Sequence, residues 1–369
     1  MIRLVKLVIL FFFIPIHFLL AQVVFVDSDT KLPIPSVSVF NVNGNLIGFS
    51  NKNGMMELIP EMKAGGLNPL DLSVQHISYE SKAFTASKNG AEQVILLQPR
   101  ANQLKEVVIS INPTAEFLYI KGYYRSLETF NLKHKYYSDG IIEFYVPLKK
   151  GKVKYRLVDF RVYQDPAVTE DYRQKMWTFF QAPRIAEIFP GKLMDRMAEY
   201  TLRKVSDKKY FLLKKESEVG HIASTESGPV SFYVDHILPD TVRLEKVLGI
   251  EAKLRHDVYI ENYSHAPIED LSPKDLLNVY QLVTGTIKRK AEYGHIPYEV
   301  MNEFYVMQTE FLSAKEYQVV EPSLLKNFNK ASDKSVFSRP FWNDLATYNI
   351  SPINSGLETQ LDQNLKLMK

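Results

Sequence analysis

The chain's chemistry-bearing residues are eight histidines and 42 acidic residues, with no cysteine among its 369 positions. Seven histidines fall beyond residue 21: His76, His134, His221, His236, His256, His265 and His295. None has a tight metal-ligand spacing. Asp235-His236 and His256-Asp257 are adjacent pairs, but neighbours on a strand point to opposite faces, so neither pair builds a shared metal site. Glu216-Ser217-Glu218 and Glu269-Asp270 supply the paired carboxylates that glycoside chemistry uses, yet such pairs arise by chance in a chain this acidic. No Gly-x-Ser-x-Gly elbow, P-loop, dinucleotide fingerprint or His-Glu-x-x-His is present. The expectation is therefore no catalytic residue, no metal and no cofactor. Tyr119, Tyr123, Tyr124, Tyr136 and Tyr137 lie beside the basic clusters Lys133-His134-Lys135 and Lys149-Lys150-Gly151-Lys152. They are the candidate binding face, for a sugar or a peptide, against the plainer reading of tyrosine as sheet packing. With Lys288-Arg289-Lys290, the basic clusters read as solvated faces or as contacts for anionic lipid headgroups at an outer membrane.

Composition narrows the setting. Hydrophobic residues make up 46% and charged residues 24%, which suits a globular chain with a substantial core. A net charge of +3, from 45 basic and 42 acidic residues, is too balanced for a nucleic-acid partner. The missing cysteines exclude disulfides, thiolate nucleophiles, cysteine-ligated metals and a lipidated cysteine. Residues 1–21 read as a secretory signal: Arg3 and Lys6, an apolar run over 7–20 broken by Pro15 and His17, then Ala21. Leu19 occupies a site where a small residue is preferred. An uncleaved anchor is the rival, but the run is shorter than the ~20 residues of a spanning helix. A cysteine-free exported chain fits a bacterial envelope, in the periplasm or at the outer membrane.

Behind the signal, short alternating strands follow at 23–26, 36–42, 46–50, 55–59, 71–77, 81–86 and 93–97. Asn43-Gly44-Asn45 and Asn53-Gly54 turn the chain, since Asn and Gly tolerate positive φ. This predicts a seven-stranded β-sandwich. The residues Pro33-Ile34-Pro35-Ser36-Val37-Ser38-Val39, then Ser50-Asn51-Lys52-Asn53-Gly54, His76-Ile77-Ser78-Tyr79-Glu80, Val94-Ile95-Leu96-Leu97 and Leu104-Lys105-Glu106-Val107-Val108-Ile109 resemble the carboxypeptidase-regulatory-like domain of exported Bacteroidetes proteins. Ser36, Met56 and Ser78 depart from its usual residues. The resemblance covers residues 22–110 and implies a transthyretin-like sandwich with no catalysis of its own. The same domain precedes the plug of TonB-dependent receptors. Only about 260 residues follow Ser110, too few for a 22-stranded barrel with its loops.

Residues 111–369 read as a second, α+β domain of unknown function. Strands are predicted at 118–125, 141–146 and 152–163, the last with a bulge where alternation shifts at Asp159-Phe160. Two helices are predicted within 170–204 from the spacing of Tyr172, Met176, Phe179 and Phe180 and of Leu193, Met197 and Tyr200. Strands follow at 209–214, 230–234, 242–244, 250–254, 258–262, 284–291 and 303–311. Ser272-Pro273-Lys274-Asp275 predicts a helix over 275–282, and Ser355-Gly356-Leu357-Glu358 a final helix with Leu357, Leu361 and Leu365 on one face. Gly122-Tyr123-Tyr124-Arg125, Phe341-Trp342 and Asn349-Ile350-Ser351-Pro352-Ile353 resemble segments that follow the sandwich in Bacteroidetes proteins. The overall expectation is a β-rich, α+β chain: the sandwich, then a curved antiparallel sheet with several helices on one face. Its expected role is a non-enzymatic binding or accessory protein of the envelope, with an envelope protein, glycan or peptide as partner. The alternatives are a polysaccharide or peptide hydrolase, or a periplasmic lipid or lipoprotein carrier.

Overall fold

The computed structural model describes residues 21–58, 71–86, 92–100, 114–176, 184–224, 229–264, 266–289, 294–329 and 332–369. Residues 1–20 of the expected signal over 1–21, the closing segment 104–109, and Phe179, Phe180, His265 and Lys290 lie outside them.

The N-terminal strands bury apolar residues on one face, and two such faces must meet. The strands are β1 (Ala21–Asp27), β2 (Ser38–Asn41), β3 (Leu46–Phe49), β4 (Met55–Leu58), β5 (Asp71–His76), β6 (Tyr79–Thr85) and β7 (Gln93–Leu97). They form two sheets, ordered β4-β1-β7 and β3-β2-β5-β6, with β1 and β7 parallel. Val23, Phe25, Val39, Met56, Val74 and Ile95 close the core between them. Fully burying one such side chain stabilises by roughly 2–3 kcal/mol. The seven predicted strands are all present. Gly44 and Gly54 take φ of 73° and 71°, as their turns require.

The second unit is one large sheet. Its long strands are β8 (Ala115–Phe130), β9 (Lys133–Pro147) and β10 (Lys154–Gln164), followed by helix α1 (Pro166–Met176) and the single turn α2 (Leu193–Arg196). Then come β11 (Thr201–Ser206), β12 (Lys209–Lys214), β13 (Ser217–Ser224), β14 (Val230–Asp235), β15 (Arg243–Val247), β16 (Ile250–Tyr263), β17 (Leu276–Arg289) and β18 (Ile296–Ser313). Helix α3 (Ala314–Val320), helix α4 (Ser355–Gln360) and the short β19 (Lys366–Leu367) complete the chain. The 12-stranded sheet runs β11-β12-β13-β14-β16-β17-β18-β8-β9-β10-β19, with β15 beside β16. All its pairings are antiparallel. The register of β10 slips between Leu157 and Asp159, where the bulge was expected. The chain is β-rich α+β, as expected.

Several local expectations fail for physical reasons. The box at Ser272 forms, but it caps only the 3-10 turn Pro273–Asp275. The next residues are strand β17, buried on both faces between β16 and β18. A continuous apolar run reads equally as buried helix or central strand, and sheet pairing decides. The second helix of 170–204 shrinks to α2 and one 3-10 turn before β11 begins. Helix α4 is capped by Asn354, which accepts from the Gly356 and Leu357 amides, and it ends at Gln360. The helices do not share a face. Leu193 of α2 packs in the cluster on one side of the sheet, and Leu357 of α4 in the cluster on the other. No described helix is long and apolar enough to cross a membrane.

The sandwich is not a separate bead. Ser38 and Phe40 turn away from its core onto the large sheet, where the Ser38 hydroxyl lies 2.9 Å from that of Tyr280. Asn262 donates to Ser78 and Asn354 to Ser73, at 2.9 and 2.8 Å. The C-terminal residues Phe341, Ile350 and Leu365 cover the same face of the sheet. The opposite face is filled by Ile185, Ile188, Leu193 and Met197.

The two-residue connection of β8 to β9 places Asn131 and Leu132 at φ of 52° and 63°. Left-handed backbone crowds a leucine Cβ, and Leu132 is 65% exposed, so few contacts repay the strain. Leu132→Gly is expected to raise stability by about 1 kcal/mol. The urea midpoint measures it, and a lowered midpoint would show that the leucine's contacts outweigh its backbone cost.

Candidate functional site

The site arises from one irregularity in β16. Ahead of it, Ile250, Ala252 and Leu254 face the same apolar cluster as Ile287 and Val300. The register then slips between Leu254 and His256. This reverses the alternation, so that Val258 and Ile260 face the sandwich side. His256 turns with them. Its ring meets the Phe49 ring of β3 edge-on, with centroids 4.9 Å apart.

Asp235, the last residue of β14, pairs in register with Val258 and so shares this face. Its Oδ2 lies 2.7 Å from His256 Nδ1, while Oδ1 accepts the Ile237 and Asp257 amides at 3.0 and 3.1 Å. The carboxylate is thereby held in place and orients the imidazole, which stays 40% exposed. Around the pair opens a cleft of about 490 Å³. Phe49, Asn51 and Lys52 line it from the sandwich, and Glu218, Tyr233, Asp240 and Arg255 from the sheet side. This volume suits a small ligand or a short peptide segment.

An aspartate-oriented imidazole can move a proton, as a general acid or base does. Two hydroxyls of the cleft are committed to backbone carbonyls: Ser50 donates to Ile34 O and Thr241 to Leu238 O. Among the described residues no group of three or more His, Asp or Glu is placed to hold a metal ion.

The adjacent pairs Asp235-His236 and His256-Asp257 do split across faces. His236 bonds the Tyr200 hydroxyl at 2.8 Å, and Asp257 bonds Arg243 at 3.2 Å. What the sequence reading missed is the cross-pair, Asp235 with His256, 21 residues apart. Of the carboxylate pairs, Glu218 reaches the cleft, Glu216 is exposed, and Asp270 binds Lys192 at 2.9 Å.

The tyrosines proposed as a binding face lie in the interior. Tyr123, Tyr124, Tyr136 and Tyr137 are each less than 5% exposed, and only Tyr119 is half-buried. Tyr123 and Tyr124, like Tyr136 and Tyr137, are strand neighbours and pack in opposite clusters. Their hydroxyls serve buried polar groups: Tyr123 and Tyr137 each donate to Asp139 at 3.0 Å, and Tyr124 bonds Ser138 at 2.8 Å. Burial holds all four hydroxyls above the ordinary tyrosine range. Asp139 belongs to a charged row across four strands, Glu303, Arg125, Asp139 and Arg161 in direct register. The first basic cluster is also largely internal: Lys135 pairs with Glu128, and His134 bonds Gly44 O at 2.9 Å.

No family model matches the chain, and no curated protein matches it. Among solved structures it is similar to one titled "Lipid-protein interactions in lipovitellin", at 7% identity and a TM-score of 0.19. The match spans 62% of this chain and 27% of that one, and a score this low carries no argument about fold or function.

Proposed function

We propose that the protein is an exported, non-enzymatic binding protein of the bacterial cell envelope, and that its recognition site is the cleft between sandwich and large sheet. The observation behind this is that both units line one polar cleft around an oriented imidazole, beside which the Ser50 and Thr241 hydroxyls donate to backbone carbonyls. The carboxypeptidase-regulatory-like resemblance of residues 22–110 agrees with a docking role for the sandwich. Lys52, Arg255, Glu218 and Asp240 would match a ligand with charges or amides of both signs, such as a peptide or an amino sugar. The carrier alternative draws less support, because the sheet face opposite the sandwich is filled by the chain's own apolar residues. A second reading, hydrolysis of a polysaccharide or peptide, is favoured by the Asp235–His256 pair alone.

A pull-down from envelope fractions, run with the wild-type chain and with Phe49→Ala/His256→Ala, separates the two. The binding reading expects a partner that the wild type recovers and the double variant loses by about tenfold. The imidazole is 40% exposed, so His256→Ala alone should shift stability by no more than about 1 kcal/mol. A hydrolytic activity in a substrate screen, abolished by His256→Ala, would replace the binding reading with the second.

A further inference from the structure

We propose that the end of the large sheet carrying the β8–β9 and β15–β16 turns docks onto an anionic lipid bilayer. The inference is independent of the cleft. Registers place both turns at one end: Tyr298 of β18 pairs with Phe130 of β8, and Ile250 of β16 pairs with Arg289 at the close of β17. Each turn thrusts a leucine outward. Leu132 is 65% exposed and Leu248 is 68% exposed. Both sit in left-handed backbone, at φ of 63° and 48°, where Gly or Asn is the ordinary choice. Two bulky apolar residues kept in strained, solvent-facing turns make poor folding sense. They make binding sense if the turns enter an apolar medium.

The surroundings specify which medium. A hollow of about 410 Å³ lies beside Leu248, with Lys246 and Lys288 in its wall. Glu251 is its carboxylate, shared by Lys246 at 3.1 Å and Lys253 at 3.7 Å, so three lysines face one acid. Lys133 stands exposed next to Leu132. A free anion would need the lysines and not the leucines. An apolar protein surface would need the leucines and not the lysines. A bilayer with anionic headgroups takes both, with phosphates in the basic hollow and leucines at the acyl boundary.

Co-sedimentation of the chain with vesicles tests this, using phosphatidylglycerol–phosphatidylethanolamine vesicles against phosphatidylcholine alone. The expected result is binding to the anionic vesicles only, weakening as salt rises. Lys246→Glu/Lys288→Glu should lower that affinity by at least about tenfold. Leu248→Asn relieves the left-handed strain, so it should fold at least as well as wild type while binding vesicles several-fold more weakly. Equal binding to phosphatidylcholine, or affinity unchanged in both variants, overturns the proposal. So does a loss seen only with Lys149→Glu/Lys150→Glu at the opposite end of the sheet. Full displacement by inorganic phosphate would assign the hollow to a soluble anion and overturn it too.

Discussion

Replacing Arg125 with methionine is expected to cost about 3–5 kcal/mol of folding stability, the largest single effect anticipated for this chain. Arg125 is 3% exposed at the centre of the charged row. It donates to Glu303 Oε2 at 3.0 Å and to the Ser351 carbonyl at 2.8 Å. Its neighbour Asp139 is held by Arg161 through two bonds, at 2.8 and 2.5 Å, under the Trp342 ring. Among the described residues, removing Arg125 leaves Glu303, itself 4% exposed, with the Tyr305 hydroxyl at 3.3 Å. The penalty comes from that orphaned carboxylate rather than from lost attraction. Arg125→Met combined with Glu303→Gln should therefore be more stable than Arg125→Met alone. Chemical denaturation of the three variants decides: equal losses in single and double variants would show that Glu303 is not the group left uncompensated. Because Arg125 also binds Ser351, the single variant should loosen the C-terminal segment, visible as faster amide exchange around Phe341 to Ile350.

Acidification should unfold the sandwich through His76. The ring is 9% exposed; its Nδ1 accepts the Ser78 amide at 3.1 Å. Burial, helped by the Arg100 guanidinium, pushes the imidazole down to about 3. The folded form therefore resists a proton that the unfolded chain takes up near 6.5. The stability His76 contributes is complete above about pH 6.5 and is lost as pH falls toward 3, amounting to about 2 kcal/mol lost by pH ~5. His76→Asn keeps an acceptor for the Ser78 amide and carries no titrating ring. It should show a flatter decline of melting temperature between neutral pH and pH ~5 than the wild type. His221, pushed down to about 4 by burial, contributes equally to both proteins and so cancels in the comparison. Parallel curves for the two proteins would sink the assignment to His76.

How much was legible depended on the range of the interaction that decided each feature. The seven sandwich strands were readable because alternation and the Asn-Gly turns are local, and Gly44 and Gly54 adopt the positive φ those turns need. The bulge in β10 was readable because its alternation visibly shifts at Asp159-Phe160. Strand β17 was not. Its largely apolar residues 276–283 follow a genuine capping box, and only pairing with β16 and β18 makes them a strand. Strand β11 was missed because its charged, exposed residues carry little alternation, and β13 because Gly220, His221 and two serines leave it few apolar residues.

The sequence by itself determined the β-rich class, the sandwich and its turns, and the lack of any cysteine or recognised catalytic motif, because each depends on composition or on residues a few positions apart. Tertiary structure alone decided which polar groups meet. Of the tyrosines that looked like a binding face, Tyr123 and Tyr137 are buried against a charged row assembled from four strands, and Tyr124 and Tyr136 are buried in the cluster on the other face. Asp235 and His256 become a pair only because β14 lies beside β16 and one slip of register turns His256 toward the sandwich. Neither the strand order nor the slip is written in local periodicity, and a one-residue slip sends a side chain to the other face.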